Sequence, residues 1–170
     1  MNRLGITCLV FLGLASCASD PTVGYSSASL YAKEYHSVAV PIFQNETMTR
    51  SIEFMLTDAV IKEIQSRTPY AVLGEKYADT ILTGTITKVD LKFLSQSKLT
   101  GLDNEMLVEA TIDFEWTNLR DDSRIAGRNN FMSSALFIPA QPSSEPMEIG
   151  HFAVVQQLAS DIVDQMQASW

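Results

Sequence analysis

Two helical stripes and one long strand that alternates without error predict an α+β fold. A β-rich run ahead of the first helix adds a parallel element, so the expected architecture is a two-layer sandwich. In it, two helices pack on one face of a mixed, mostly antiparallel four- to five-stranded sheet. The 170 residues suffice for one domain, and a formal net charge of −8 argues against nucleic acid held on a basic surface. Eight Gly and six Pro exclude collagen-like and low-complexity classes, and two cysteines cannot build a disulfide framework.

The elements follow in chain order. Ser37 to Phe43 is rich in Val, Ile and Phe and reads as a strand, with Pro41 making it an edge or a bulge because proline cannot donate to a ladder. Thr47 or Thr49 is placed to cap the helix that follows. Residues 50–66 carry Ile52, Met55, Leu56, Ala59, Val60 and Ile64 at helical spacing, and Thr68-Pro69 stops the helix. Tyr70–Leu73 is a short strand, and 79–95 a long one whose apolar parity changes between Ile86 and Val89, the mark of a bulge. Gly84, alone within that strand, lets a helix approach the sheet.

The strand 105–118 places Met106, Val108, Ala110, Ile112, Phe114 and Trp116 on one face and Glu109, Asp113 and Glu115 on the other. Its partner, 124–138, is expected to pair so that Ile112 faces Phe131 and Glu115 faces Arg128. After a proline-marked loop, 148–168 gives a second helix with the stripe Phe152, Val155, Ala159, Ile162, Val163 and Met166. The face of the sheet away from the helices is polar and is either wet or covered by a partner.

The first residues read as an address. Arg3 is the positive n-region, residues 4–14 are largely apolar, and Leu14-Ala15-Ser16-Cys17 resembles a bacterial lipobox. On that reading 1–16 is a lipoprotein signal peptide, and Cys17 carries a covalent diacylglycerol and acyl anchor such as palmitate. Residues 17–36 form a flexible tether, and 37–170 is the folded domain. Removing 1–16 takes away Cys8 and Arg3, so the mature chain has no cysteine free for a disulfide and is one charge more acidic. Ala18 and Ser19 lack the acidic residue that retains lipoproteins at the inner membrane, which points to the outer membrane.

No catalytic constellation emerges, so the chain is expected not to be an enzyme. His36 and His151 stand in different elements with no ligand-spaced partner, so no metal site and no cofactor beyond the lipid are expected. Ser133, His151 and Asp161 could be imagined as a triad, but no Gly-x-Ser-x-Gly elbow accompanies them. Glu109, Asp113 and Glu115 are the solvated side of an alternating strand and a candidate partner face. The basic candidates for lipid contact are Lys88, Lys92, Lys98, Arg120, Arg124 and Arg128.

The order of motifs carries a resemblance. Cys17, Tyr25-Ser26 and Leu30-Tyr31 precede Val38-Ala39-Val40-Pro41-Ile42-Phe43-Gln44-Asn45. Lys62 to Tyr70 (KEIQSRTPY) and Ala78 to Gly84 (ADTILTG) follow, then a closing helix with Leu158-Ala159-Ser160-Asp161-Ile162-Val163. Over residues 17–170 this resembles the LPS-assembly lipoprotein (LptE) family, in its divergent branch outside the proteobacteria. The resemblance implies a periplasm-facing outer-membrane lipoprotein. It would plug and help assemble an LptD-type β-barrel, without catalysis, and would contact lipopolysaccharide directly. The competing assignment is another small α/β envelope lipoprotein, of a secretion system or bound to peptidoglycan, since fold alone does not choose a partner.

Overall fold

A computed structural model describes residues 30–96, 103–137 and 147–167. Cys17, Lys98 and the stretches 97–102 and 138–146 lie outside the described residues. The elements are β1 (Ser37–Ala39), β2 (Gln44–Asn45), α1 (Ile52–Arg67), β3 (Ala71–Val72), β4 (Thr80–Gln96), β5 (Asp103–Asn118), β6 (Arg124–Phe137) and α2 (Met147–Gln165), with a 3-10 turn at Glu75–Tyr77. They form one six-stranded sheet in the order β3-β1-β4-β5-β6, with β2 also on β4, against two helices. This is the expected α+β sandwich. The extra strand is β2, which lies just past the predicted run 37–43; only Ser37–Ala39 of that run is strand, so the two are split by a stretch outside the ladder.

The split has a local cause. β1 lies parallel to β4 at Thr80–Ile81, and β2 lies parallel to the same strand at Thr85–Ile86. Between them the chain leaves the ladder around Pro41, which has no N–H to offer. Phe43 turns inward there and is buried. Its N–H donates to Thr57 Oγ1 at 3.1 Å, and Thr57 in turn donates to the Glu53 carbonyl at 2.7 Å. A Cβ at Gly84 would meet Phe43 Cε1 at 2.6 Å and the Asp113 carbonyl oxygen at 2.8 Å. Gly84 therefore admits the Phe43 ring, whereas the sequence suggested a helix.

β1, α1 and β3 make a β-α-β unit whose two strands are adjacent and parallel. The helix does not begin as expected, since neither Thr47 nor Thr49 caps it. The N-cap is Ser51 at φ 67°, with no side-chain cap bond. The two threonines are used one turn earlier: Thr47 Oγ1 donates to Asn45 Oδ1 at 2.8 Å, and the Thr49 N–H donates to Thr47 Oγ1 at 3.2 Å. Polar turn residues bond their own backbone readily, and here that competes with capping.

β4, β5 and β6 form the antiparallel meander. The parity change in β4 is a bulge between Ile86 and Lys88. Below it Leu82 and Ile86 face the helices, and above it Val89, Leu91 and Phe93 do, opposite Ala110, Val108 and Met106. The β5–β6 register holds as expected from Met106↔Phe137 to Ile112↔Phe131 and then slips, so that Phe114 faces Arg128 and Glu115 faces Gly127. The predicted Glu115–Arg128 opposition is therefore wrong. The cause is an extra residue at Asn129–Asn130. Asn130 sits at φ 52°, a conformation asparagine tolerates, and its N–H donates to Asp113 Oδ1 at 2.7 Å. Arg124 takes the place assigned to Arg128, with its guanidinium 3.4 Å from Glu115.

Both helices cover the same sheet face. Their C-terminal ends meet where Arg67 bonds Ser160 Oγ at 2.8 Å and pairs with Asp164. Leu56, Val60 and Ile64 of α1 and Val154, Leu158 and Ile162 of α2 are buried with Ile112, Phe114 and Trp116 in one core. The α2 stripe is phased differently from expectation at its start: Gly150, Val154 and Val155 are buried, whereas Phe152 is 55% exposed. A Cβ at Gly150 would lie 3.0 Å from Val108 Cγ2 and 3.2 Å from Phe137 Cγ. That close approach turns the glycine, and not Phe152, toward the sheet.

Gly84→Ala is expected to destabilise the domain by about 1–3 kcal/mol, because the added methyl overpacks against a buried ring and a backbone carbonyl. Gly74→Ala, where nothing lies within 4 Å, should leave stability nearly unchanged. Urea midpoints of the two variants against the parent measure the difference.

Candidate functional site

The helices leave the opposite face of the β4–β5–β6 meander uncovered. Cross-strand registers set its rows: Lys92–Leu107–Leu136, then Asp90–Glu109–Ser134, then Lys88–Thr111–Met132. Nearer the β1 end come Thr83–Glu115–Gly127 and Ile81–Thr117. A depression of about 380 Å³ lies beside these last rows, lined by Thr83, Thr85, Asp113, Glu115 and Arg124 with Ile42 at its rim.

The three acidic residues predicted as a partner face all stand here, but none is a bare carboxylate. Glu109 is largely covered and pairs with Lys92 Nζ at 2.6 Å. Asp113 accepts the Asn130 N–H, and Glu115 pairs with Arg124. Two of the predicted lipid contacts, Lys92 and Arg124, are thus the counter-charges of the predicted partner face. Lys88 pairs with Asp90 on the same strand, and the bond raises the lysine's pKa above its ordinary value. The face presents alternating charge in place of an acidic sheet. Such exposed pairs add little stability, but they set which charges a partner meets.

Arg120 and Arg128 stand elsewhere. Arg128 is exposed, opposite Phe114 on the helix side, and bonds only its neighbour's carbonyl, that of Gly127, at 3.3 Å. It borders an open cavity of about 540 Å³ with Tyr35, Trp116, Ala126 and Met166. This cavity lies where the chain enters the domain. Tyr31 packs edge-on to Tyr70 at 5.9 Å and Tyr35 edge-on to Trp116 at 5.8 Å. Burial pushes the Tyr70 hydroxyl up to about 12, so it stays protonated and donates to the Ala32 carbonyl at 3.2 Å. The stretch 30–36 falls in the segment read as a tether, whose Tyr31 and Tyr35 stand out there as aromatic residues able to touch the domain; both do so, and they strap it down by aromatic contacts.

Asp79 fixes the end of that strap. Its carboxylate accepts the His36 N–H at 3.1 Å, the Ser37 hydroxyl at 3.0 Å and the Arg120 guanidinium at 2.8 Å. These donors, the His36 N–H foremost, hold its carboxyl below the ordinary value of 3.8. Nothing in the sequence separation of His36, Asp79 and Arg120 announces this meeting. Met132 and Leu136 were also missed as surface residues, although their alternation with Phe131 and Phe137 marks them as facing the other way.

Among the described residues no group of three or more His, Cys, Asp or Glu is placed to hold a metal. Ser133 and Asp161 do meet, at 2.7 Å, and they tie β6 to α2. No helix among the described residues is long and apolar enough to cross a membrane.

Comparison with known proteins gives one family. The model of the lipopolysaccharide-assembly family LptE matches residues 35–169. No curated protein matches the chain. Among solved structures, a protein of family DUF330 from Xanthomonas campestris is similar at TM-score 0.52 and 12% identity, over 75% of this chain and 81% of its own. A hypothetical protein from Chlamydia trachomatis is similar at TM-score 0.52 and 8% identity, over 78% of this chain and 98% of its own. Lipoprotein B from Nitrosomonas europaea follows at TM-score 0.46 and 14% identity, over 75% and 82%. At these identities the likeness is one of fold.

The depressed Asp79 carboxyl has a defined consequence for stability. A group whose folded-state pKa lies below its unfolded one stabilises the fold above the unfolded value and loses that contribution as pH falls through the folded one. Asp79→Asn is therefore expected to lower the urea midpoint at pH 7. The difference from the parent should shrink as pH drops below 3.8. Urea titrations across that range follow it.

Proposed function

We propose a role from the fact that this chain belongs to the LptE family of lipopolysaccharide-assembly proteins: it is an outer-membrane lipoprotein, anchored by lipid on Cys17, that seats in an LptD-type β-barrel. There it acts as a non-catalytic plug and assembly factor for lipopolysaccharide insertion. The observation that carries the proposal is the family match over residues 35–169, which spans the whole described domain except Leu30–Glu34.

The uncovered face supports it in kind. A protein seated in a polar barrel lumen needs a surface that a wet, charged wall can match. The rows from Lys88 to Arg124 offer carboxylates and cations in register, 2.6 to 3.4 Å apart where Glu109 and Glu115 meet their partners. Electrostatic matching of this type selects a partner and its orientation more than it adds raw affinity. Asp113, with Thr83 and Thr85 beside it, adds neutral and acidic acceptors to the same wall. Among the described lipid-contact candidates, the exposed Arg128 is the one left to meet a lipid phosphate, since Lys88, Lys92, Arg120 and Arg124 already hold carboxylates.

Depletion of the protein is expected to lower the amount of correctly assembled barrel, and the lipidated protein should co-purify with a large outer-membrane barrel from envelope extract. Recovery of the folded protein with no barrel sinks the proposal. Glu109→Lys with Glu115→Lys should cut barrel recovery by about tenfold or more while circular dichroism stays that of the parent, because like charges then face one another across the contact. Parent-level recovery would remove this face from the docking surface.

A further inference from the structure

We propose that the depression of about 380 Å³ on the uncovered face is a socket for one long cationic side chain, arginine or lysine, of the barrel wall. This rests on the seating in a barrel proposed above. Two local breaks in the sheet make the socket. On one side the chain leaves the edge of β4 between Ala39 and Gln44, so Pro41 and Ile42 stand beside Thr83 and Thr85. On the other side the β5–β6 register passes from Ile112 to Phe114 and skips Asp113, where the extra residue of β6 lies. Bulges re-aim side chains at such places. Asp113 therefore lines the depression with no single residue of β6 in register opposite it.

Charge complementarity identifies the occupant. Asp90, Glu109 and Glu115 on the same face each hold a cation. Asp113 holds none among the described residues; its Oδ1 accepts the Asn130 N–H. Arg124 also lines the depression, but it serves Glu115. Two carboxylates thus share one guanidinium, and the lining is left with one uncompensated negative charge. The rim supplies the other half of the fit. Ile42 is 58% exposed beside Pro41, an apolar lip next to that carboxylate. Long cationic side chains lay their methylene stems on apolar surface and keep the charged head among polar groups. A metal ion would make no use of the lip, and among the described residues no group of three or more His, Cys, Asp or Glu is placed to hold one. The Thr83 and Thr85 hydroxyls add neutral acceptors for the donors of the head that Asp113 leaves over.

Photo-cross-linking from the rim tests the socket on the full chain in cell envelopes. Ile42→p-benzoylphenylalanine is expected to give an adduct with the barrel on irradiation. The adduct should map to a wall residue with an arginine or lysine next to it or two positions along, the same-face neighbour in a strand. Asp113→Asn keeps an oxygen for the Asn130 N–H, so circular dichroism should stay that of the parent. It is expected to lower both barrel recovery and the adduct at least about fivefold, because the incoming cation loses its counter-charge. Glu75→Gln removes the same charge from an exposed position outside the depression and should leave both at the parent's level. Parent-level recovery from Asp113→Asn, an equal loss from Glu75→Gln, or an adduct with no arginine or lysine so placed overturns the socket while the seating in a barrel stands. A parent that recovers no barrel overturns both.

Discussion

A buried chain of three polar groups holds the sheet together at the end where the polypeptide enters. The Trp116 indole donates to Thr80 Oγ1 at 2.9 Å, and the Thr80 hydroxyl donates to the Ser37 carbonyl at 2.9 Å. Thr80 is wholly buried and Trp116 nearly so. An indole N–H or a hydroxyl left without a partner in that setting costs roughly 1–3 kcal/mol. The bonds cross from β5 through β4 to β1, and β1 is only three residues long. Two ladder pairs on each side could not alone fix so short a strand. The hydroxyl chain and the Asp79 carboxylate fix it from within and from the rim.

Much of the fold follows from where β1 is placed. Its position sets the point at which the chain leaves the ladder at Pro41, drops Phe43 onto Gly84 and starts α1. α1 in turn meets α2 at Arg67, and α2 lies on β6 through Ser133–Asp161 and on β5 at Val108. One face of the meander is thus committed to helices. The other is left to cross-strand pairs that neutralise one another locally, so a net acidic protein shows a mixed surface to its surroundings. The two faces divide the work: the covered one supplies the core, and the bare one is the surface proposed for recognition.

The strap 30–36 links the domain to the segment that precedes it. Aromatic edges, the Tyr70 hydroxyl and the His36 N–H on Asp79 hold it against the C-terminal end of α2, where Tyr31 bridges Gln167. Leu30–His36 therefore stands at one end of the sheet, the end away from the β4–β5 hairpin. Phe93, at that hairpin, lies on the helix side but is 65% exposed, because β4 with 17 residues outruns the helices that cover its lower half.

Sequence alone determined the fold class, both helices, the strict two-faced character of β5, the bulge after Ile86 and the upper half of the β5–β6 register. These rest on period-2 and period-3.6 patterns, which act over a few neighbouring residues and leave their trace locally. It also nominated the acidic and basic residues of the bare face. Tertiary structure alone decided that they pair with one another, that Arg124 and not Arg128 serves Glu115, that Gly84 receives Phe43, and that Phe152 turns outward. Each of these depends on one extra residue in a strand or on a ring arriving from a distant segment. A slip of one position reverses every side chain beyond it, and no local pattern records the neighbour that forces the slip.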